Sequence, residues 1–302
     1  MKKGIQLTKS YCGYVAIIGK PNVGKSTLLN HLLRQKISIT SRKPQTTRHR
    51  ILGVNSDGRY QCIFIDTPGV HATQKKTLNR IMNEAAVSAI DDVDAVIFLV
   101  EKLNFKKADH QVLDLLKVIK KPVLLVINKV DLIKVKSTLL PHIKELSGFF
   151  DFSEVIPVSA LGGHNLGYLE KVVKKYLPEG PFLFPEDQFT DRSLRFFASE
   201  LIREKITRQL GDELPYEITV EIEKFVEQEE LIDIHGLILV DKKGQKKIII
   251  GKNGDRLKSI GSSARQDMEK AFESKVMLRL WVKVKNGWAD DDRALQSLGY
   301  MD

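Results

Sequence analysis

Cysteine is nearly absent from these 302 residues, with Cys12 and Cys62 the only two. They lie far apart and outside any C-x-x-C pattern, which excludes a disulfide framework and a cysteine zinc site and fits a reducing cytoplasm. No apolar run approaches the ~20 residues needed to cross a bilayer. Met1-Lys2-Lys3-Gly4-Ile5-Gln6 lacks the apolar stretch of a secretory signal. A soluble intracellular chain is therefore expected. Repeats of solenoid period and long low-complexity tracts are also missing. Positive charge is plentiful, with 48 Lys and Arg against 38 Asp and Glu, net +10. That balance favours a polyanionic partner, and the length suits about two domains.

Gly19-Lys20-Pro21-Asn22-Val23-Gly24-Lys25-Ser26 fits the phosphate-cradling pattern G-x-x-x-x-G-K-[ST]. The apolar run Tyr14 to Ile18 before it predicts a strand, and Ser26 to Leu33 after it predicts a helix, which is the context the pattern requires. Glycines let the backbone approach phosphate, N–H groups and the helix N-terminus favour the anion, and Lys25 neutralises its β/γ end. Ser26 is the candidate magnesium ligand, and Thr27 extends the nucleotide-binding stretch.

Ile37 to Arg50 is polar and without hydrophobic period, a long connection for a compact domain. It reads either as a solvated basic loop or as a switch whose threonine reaches magnesium and the γ-phosphate. Thr47 is the first choice for that role and Thr46 the alternative. Gln61 to Ile65 reads as a strand delivering Asp66-Thr67-Pro68-Gly69 at its C-terminal end, where α/β sheets place ligands. Asp66 can address magnesium, and the Gly69 N–H can turn to the γ-phosphate.

Helical and strand patterns then alternate: helix over Leu78 to Ile90, strand over Val93 to Val100, helix over Ala108 to Ile119, strand over Pro122 to Ile127. The α/β fold class follows, with a mostly parallel sheet and helices on both faces. The last strand ends in Asn128-Lys129-Val130-Asp131. The Asp131 carboxylate can accept from the ring N–H and exocyclic amino group of guanine, and adenine offers neither donor. Asn128 can address the other base edge, and the Lys129 stem can lie along the ring. A strand over Glu154 to Val158 leads to Ser159-Ala160-Leu161, whose backbone can meet the guanine carbonyl oxygen.

Together these segments resemble the motif set of the Ras-like GTPases of the TRAFAC class, over about the first 180 residues. The resemblance implies GTP hydrolysis with Mg2+ held by Ser26, Thr47 and Asp66, and catalytic roles for Thr47, Asp66 and Gly69. One departure matters: Val70 stands where Ras-type enzymes carry a water-orienting glutamine, so slow intrinsic hydrolysis is expected. His71 beside it is a minor candidate. GTPases with an asparagine at the place of Asn22 often use K+ in place of an arginine finger, which makes Asn22 a candidate catalytic residue.

Leu177 to Asp187 packs three prolines and a glycine into a short span and reads as a linker, placed at 181–190 between a domain at 1–180 and another at 191–302. Arg192 to Leu210 carries a helical apolar stripe. Tyr216 to Val226 and Leu231 to Val240 read as strands, with a turn near Lys242-Lys243-Gly244. Gly251-Lys252-Asn253-Gly254 is a GXXG loop between Ile248-Ile249-Ile250 and a helix. In KH modules such a loop clamps about four nucleotides of single-stranded backbone. Ile250, Gly251, Lys252, Asn253, Gly254 and Lys258 are the candidate RNA-binding residues. Charge is segregated here: residues 212–241 hold ten acidic and one basic, net −9, while 242–285 hold thirteen basic and four acidic, net +9. Val276 to Lys285 reads as a final strand in which Trp281 is expected to be core, with base stacking as the alternative.

The element order resembles a type II KH domain of α+β class, and the whole chain resembles the Era-like family of bacterial GTPases. That resemblance implies binding near the 3′ end of 16S rRNA, a role in assembly of the 30S subunit, peripheral contact with the inner membrane, and a monomer. Two other readings compete with it: a nucleotide-using metabolic enzyme such as a kinase, and a basic-faced GTPase acting at the membrane surface in signalling or cell-cycle control.

Overall fold

The computed structural model describes residues 9–41, 43, 46–70, 77–210 and 218–300. The minor candidate His71 and the strand start at Tyr216 lie outside the described residues. In chain order the elements are β1 Tyr11–Ile18, α1 Lys25–Leu33, β2 Ile51–Asp57, β3 Tyr60–Asp66, α2 Thr77–Asp91, β4 Ala95–Glu101, α3 Lys107–Leu116, β5 Val123–Asn128, α4 Leu139–Ser147, β6 Glu154–Pro157 and α5 Leu166–Lys174. They continue with α6 Leu194–Gln209, β7 Ile218–Glu227, β8 Leu231–Val240, α7 Lys243–Ile250, α8 Asp255–Phe272, β9 Lys275–Val284 and α9 Asp292–Ser297.

Contacts divide the chain into two compact units: 1–37, 50–72 and 84–191 form the first, and 38–49, 73–83 and 192–302 the second. The units interleave along the chain, whereas the sequence suggests three consecutive blocks.

The first unit is a six-stranded sheet in the order β2-β3-β1-β4-β5-β6, parallel except for the antiparallel pair β2–β3. The inner strands β4 and β5 are buried along almost their whole length, which is why they read as unbroken apolar runs. β2 escaped the sequence reading because its second half is polar and Gly53 interrupts it. A Cβ at residue 53 would stand 2.5 Å from Leu33 Cδ1, so glycine lets α1 lie close to the strand. α4 and α5 were also missed. Pro141 is tolerated in the first turn of α4, and Gly162, Gly163 and Gly167 hide the start of α5.

The Pro-rich stretch belongs to the first unit. Buried Gln61 on β3 accepts from the Leu183 and Phe184 amides at 2.8 and 3.0 Å and donates to the Phe184 carbonyl at 2.8 Å. Further on, the Val54 amide donates to the Phe189 carbonyl at 2.9 Å, and Thr190 Oγ1 to the Leu52 carbonyl at 2.7 Å. The Gln61 carboxamide thus fastens this segment to β3.

The second unit's sheet runs β7-β8-β9, with β7–β8 antiparallel and β8–β9 parallel. Its core joins Ala198, Ile202 and Ile206 of α6 and Ile260, Ala264 and Met268 of α8 to alternate residues of the three strands. Lys242-Lys243-Gly244 is not a turn but the start of α7, capped by the Lys242 amide donating to Gln245 Oε1 at 2.9 Å. The described residues among 38–49 belong to this unit, and Ser38, Ile39, Thr47 and Arg48 are buried rather than solvated. Arg48 donates to the Ile218 carbonyl at 2.7 Å, the Thr40 amide donates to Glu204 Oε1 at 3.1 Å, and the His49 ring stacks on Tyr300 at 4.4 Å. Burial pushes the His49 pKa down to about 4, so that ring stays neutral at physiological pH.

Of the two tryptophans, Trp288 is fully buried, against Leu78, Met82, Leu295 and Tyr300. Trp281, expected to be core, is 37% exposed. Trp288→Ala should cost about 3–5 kcal/mol, read as a lower guanidinium midpoint for the second unit. Trp281→Ala should stay within about 0.5 kcal/mol of the parent by the same measurement.

Candidate functional site

The phosphate-loop pattern sits at the C-terminal ends of the parallel strands. β1 ends at Ile18, and the chain turns through the loop into α1, whose N-cap is Gly24 at φ 105. A Cβ at Gly24 would lie 2.3 Å from Asn128 Nδ2. Lys25 Nζ donates to the carbonyls of Gly19 and Lys20, both at 3.0 Å. Burial lowers its pKa to about 8, opposed by nearby Asp66. Ser26 Oγ donates to Asp66 Oδ2 at 2.8 Å, so a hydroxyl and a carboxylate converge beside the loop. Thr67 anchors the Asp66-Gly69 turn by donating to the Ile17 carbonyl at 2.9 Å. Pro68 and Gly69 are buried, and a Cβ on Gly69 would come within 2.8 Å of the Pro21 nitrogen. Val70 packs against the apolar core below.

Two acidic residues that the sequence reading did not single out complete this loop. Lys20 Nζ pairs with fully buried Asp109 at 2.7 Å and donates to the Asn104 carbonyl at 3.0 Å, so its ammonium fastens the loop to α3. Lys129 Nζ lies 2.5 Å from Glu101 Oε2 and 2.6 Å from the Asn22 carbonyl. Glu101 sits at the end of β4, where ligand-side residues are expected. Asp109, inside a lysine-rich helix start, carries no such signal.

Asn128 makes three hydrogen bonds to the protein that the sequence reading did not anticipate. Its Oδ1 accepts from the amides of Lys129 and Ala160 at 2.8 and 2.9 Å, and its Nδ2 donates to the Val23 carbonyl at 2.8 Å. One carboxamide thus ties together the phosphate loop, the Asn128–Asp131 turn and the Ser159–Leu161 turn. The Ala160 amide is engaged by Asn128, while Leu161 is 84% exposed and Ser159 Oγ accepts from the Gly162 amide at 3.1 Å. Asp131 is exposed on a short 3-10 turn, Val130–Leu132. Thr46 and Thr47 are described with the second unit: the Thr46 carbonyl accepts from Arg203, and Thr47 is buried.

In the second unit Gly251 ends α7 at φ 74, and Asn253 at φ 53 and Gly254 at φ 83 turn the chain into α8. Lys252 and Asn253 project as the exposed tip of this helix pair, and Lys258 is exposed on the first turns of α8. Ile250 is half-buried behind them against the core. The loop backbone and the start of α8 offer N–H groups at a basic tip, as phosphate binding requires.

Among the described residues no cluster of three or more His, Cys, Asp or Glu could cage a metal. Ser26 and Asp66 are hard oxygen donors, which suit Mg2+ when nucleotide phosphate and water complete its shell. Among the described residues no helix is long and apolar enough to cross a membrane.

A phosphate-loop pattern, the Asn128–Asp131 turn at the end of β5 and a GXXG helix pair are those of a P-loop GTPase joined to a KH module. Residues 14–129 match the family model described as a 50S ribosome-binding GTPase, and residues 213–289 that of the KH domain. The chain belongs to the Era family of GTPases. It is 58% identical to GTPase Era of Pseudomonas savastanoi over 295 residues, covering 98% of each chain, and 59% identical to that of Marinobacter nauticus over 294 residues, covering 97% of this chain and 96% of the relative. A crystal structure of an Aquifex aeolicus Era variant bound to GDP.AlF4- superposes with TM-score 0.93 at 43% identity, covering 96% of this chain and 99% of that one. A crystal structure of Era in complex with MgGDPNP and nucleotides 1506–1542 of 16S ribosomal RNA does so with TM-score 0.93 at 42% identity and the same coverage.

Phosphate binding needs the charged form of Lys25, and burial holds its pKa near 8. Nucleotide affinity should therefore be flat below pH 8 and weaken above it by up to about tenfold per pH unit, measured by titrating a fluorescent GDP analogue between pH 7 and 9.5.

Proposed function

We propose that the chain is a slow GTPase switch that binds the 3′ end of 16S rRNA through its KH module and assists 30S subunit assembly. The observation that carries this reading is the exposed, basic GXXG tip between α7 and α8, in a chain 42% identical to an Era crystallised with that RNA segment and MgGDPNP.

On nucleotide binding, the Lys25 ammonium exchanges the Gly19 and Lys20 carbonyls for β/γ-phosphate oxygens. The Asp131 carboxylate takes the guanine ring N–H and amino group, while Asn128 holds the three loops in register. Mg2+ would be held by Ser26 and Asp66, with phosphate oxygens and water, and would supply charge neutralisation at the transferring phosphoryl group. The Gly69 N–H faces the γ-phosphate. Hydrolysis breaks the bond between the γ-phosphorus and the bridging oxygen as water attacks, releasing GDP and phosphate. Val70 offers water no hydrogen bond, which supports slow turnover. Asn22 is the residue we assign to a K+ ion that offsets charge in the transition state; equal turnover in KCl and NaCl would remove that assignment.

Asp131→Asn should weaken GTP binding by at least about a hundredfold and improve xanthosine triphosphate, whose C2 carbonyl can accept from the new amide; competition against labelled GDP measures both. Lys252→Asp with Asn253→Asp should abolish crosslinking to 16S rRNA in cells while leaving GDP affinity within about twofold of the parent, because these side chains are exposed. Undiminished crosslinking would overturn the GXXG assignment.

A further inference from the structure

On its exposed edge strand β9, the face of the KH sheet turned away from α6 and α8 is not plain solvated surface, although Thr219, Leu237 and Leu239 further in on that face are buried. Along β9 the even positions Val276, Leu278, Leu280, Val282 and Val284 pack into the core beneath α6 and α8. Alternation puts Lys275, Met277, Arg279, Trp281 and Lys283 on the opposite face, and all five are exposed. This row holds three cations, a tryptophan and a methionine, and no acid. Trp281 is 37% exposed and Met277 44%, and the indole meets only the edge of His235, at 5.8 Å between ring centroids, among its ring contacts on the described residues. Its neighbours at i−2 and i+2, Arg279 and Lys283, lie about 6.6 Å away along the strand on either side. On the adjoining strands Asp233 is neutralised by Lys224 at 2.6 Å, and Glu221 stands two strands from the indole, opposite Leu237.

A partly exposed indole between cations suits stacking of unpaired bases while the flanking cations neutralise phosphates. A GXXG loop clamps only about four nucleotides, so a longer single strand needs further purchase on the module. We propose that the outer face of β9, centred on Trp281 with Arg279 and Lys283, is a second single-stranded RNA contact that engages nucleotides beyond those clamped by the GXXG loop. The proposal rests on the RNA-binding reading above and extends it to a surface on the other side of the sheet from α8.

The test uses the full chain loaded with a GTP analogue and magnesium, and fluorescence anisotropy with labelled single-stranded RNAs of about five and about fifteen nucleotides, the shorter matched to one GXXG clamp. Trp281→Ala should weaken the longer RNA about 5- to 150-fold and leave the shorter unchanged. Trp281→Phe should restore most of the loss, and Arg279→Glu with Lys283→Glu should reproduce it. Wild-type affinity for the longer RNA in both Ala and Glu variants would overturn the proposal. Equal loss on both lengths would do the same, since it would place Trp281 in the GXXG clamp. So would unchanged RNA affinity with lost sedimentation on vesicles containing phosphatidylglycerol, because the face would then be a lipid surface. If Lys252→Asp with Asn253→Asp keeps its affinity for the short RNA, the GXXG reading fails, while a length-dependent loss in Trp281→Ala still supports the sheet contact.

Discussion

Asn128 hydrogen-bonds to three separate loops from a single side chain, and the nucleotide end of the first unit depends on it. The phosphate loop is held at Val23, the turn that carries Asp131 at Lys129, and the turn at Ser159–Leu161 through Ala160. Apart from a single 3-10 turn at Val130–Leu132, these loops have no helix or strand of their own to hold them in place. Because the carboxamide is buried, its bonds face little competition from water, and their geometry is fixed before ligand arrives. Two ion pairs add to this from either side, Lys20 with Asp109 and Lys129 with Glu101. Pre-organisation of this kind lowers the ordering cost of binding.

Local sequence carried most of this arrangement, and the exceptions have physical causes. The glycine-lysine loop, the strand ends at Asp66 and Asn128 and the GXXG tip were all legible, because each is a short motif flanked by strong hydrophobic periodicity. β2, α4 and α5 were not, since polar residues, proline or glycine interrupt the period and tertiary packing decides the outcome. The guanine-reading tetrad was legible as a set, but the use of Asn128 was not. A carboxamide that reads a base and one that braces loops look identical in sequence. Residues 38–49 show the same limit, because burial of Arg48 and Thr47 depends on partners about 170 residues away, such as Ile218.

The second unit separates its charge by element. The strand β7 and the start of β8 are mainly acidic, whereas α7, the GXXG tip, α8 and β9 together carry eleven cations against three acids. Over residues 192–302 the twenty basic and twenty acidic residues cancel, which keeps nonspecific attraction to polyanions modest while the basic elements retain a strong local field. Trp281 went from expected core to exposed position because strand alternation alone does not say which face is covered. The helices cover the even positions of β9, and the indole falls on the odd ones.

Both native thiols lie in the neighbouring strands β1 and β3, with Cys12 opposite Gln61 in the pairing register. Burial raises both, and Cys62 is pushed up to about 12. At neutral pH only about one Cys62 in 10^5 is thiolate, the form that reacts with oxidants and alkylating reagents. Both thiols are also buried, so maleimides are expected to modify them slowly and a cysteine introduced on the surface to be the preferred target for a dye or spin label. Slow modification of the native pair would in turn time the opening of these strands, giving an intrinsic clock for local unfolding without any added probe.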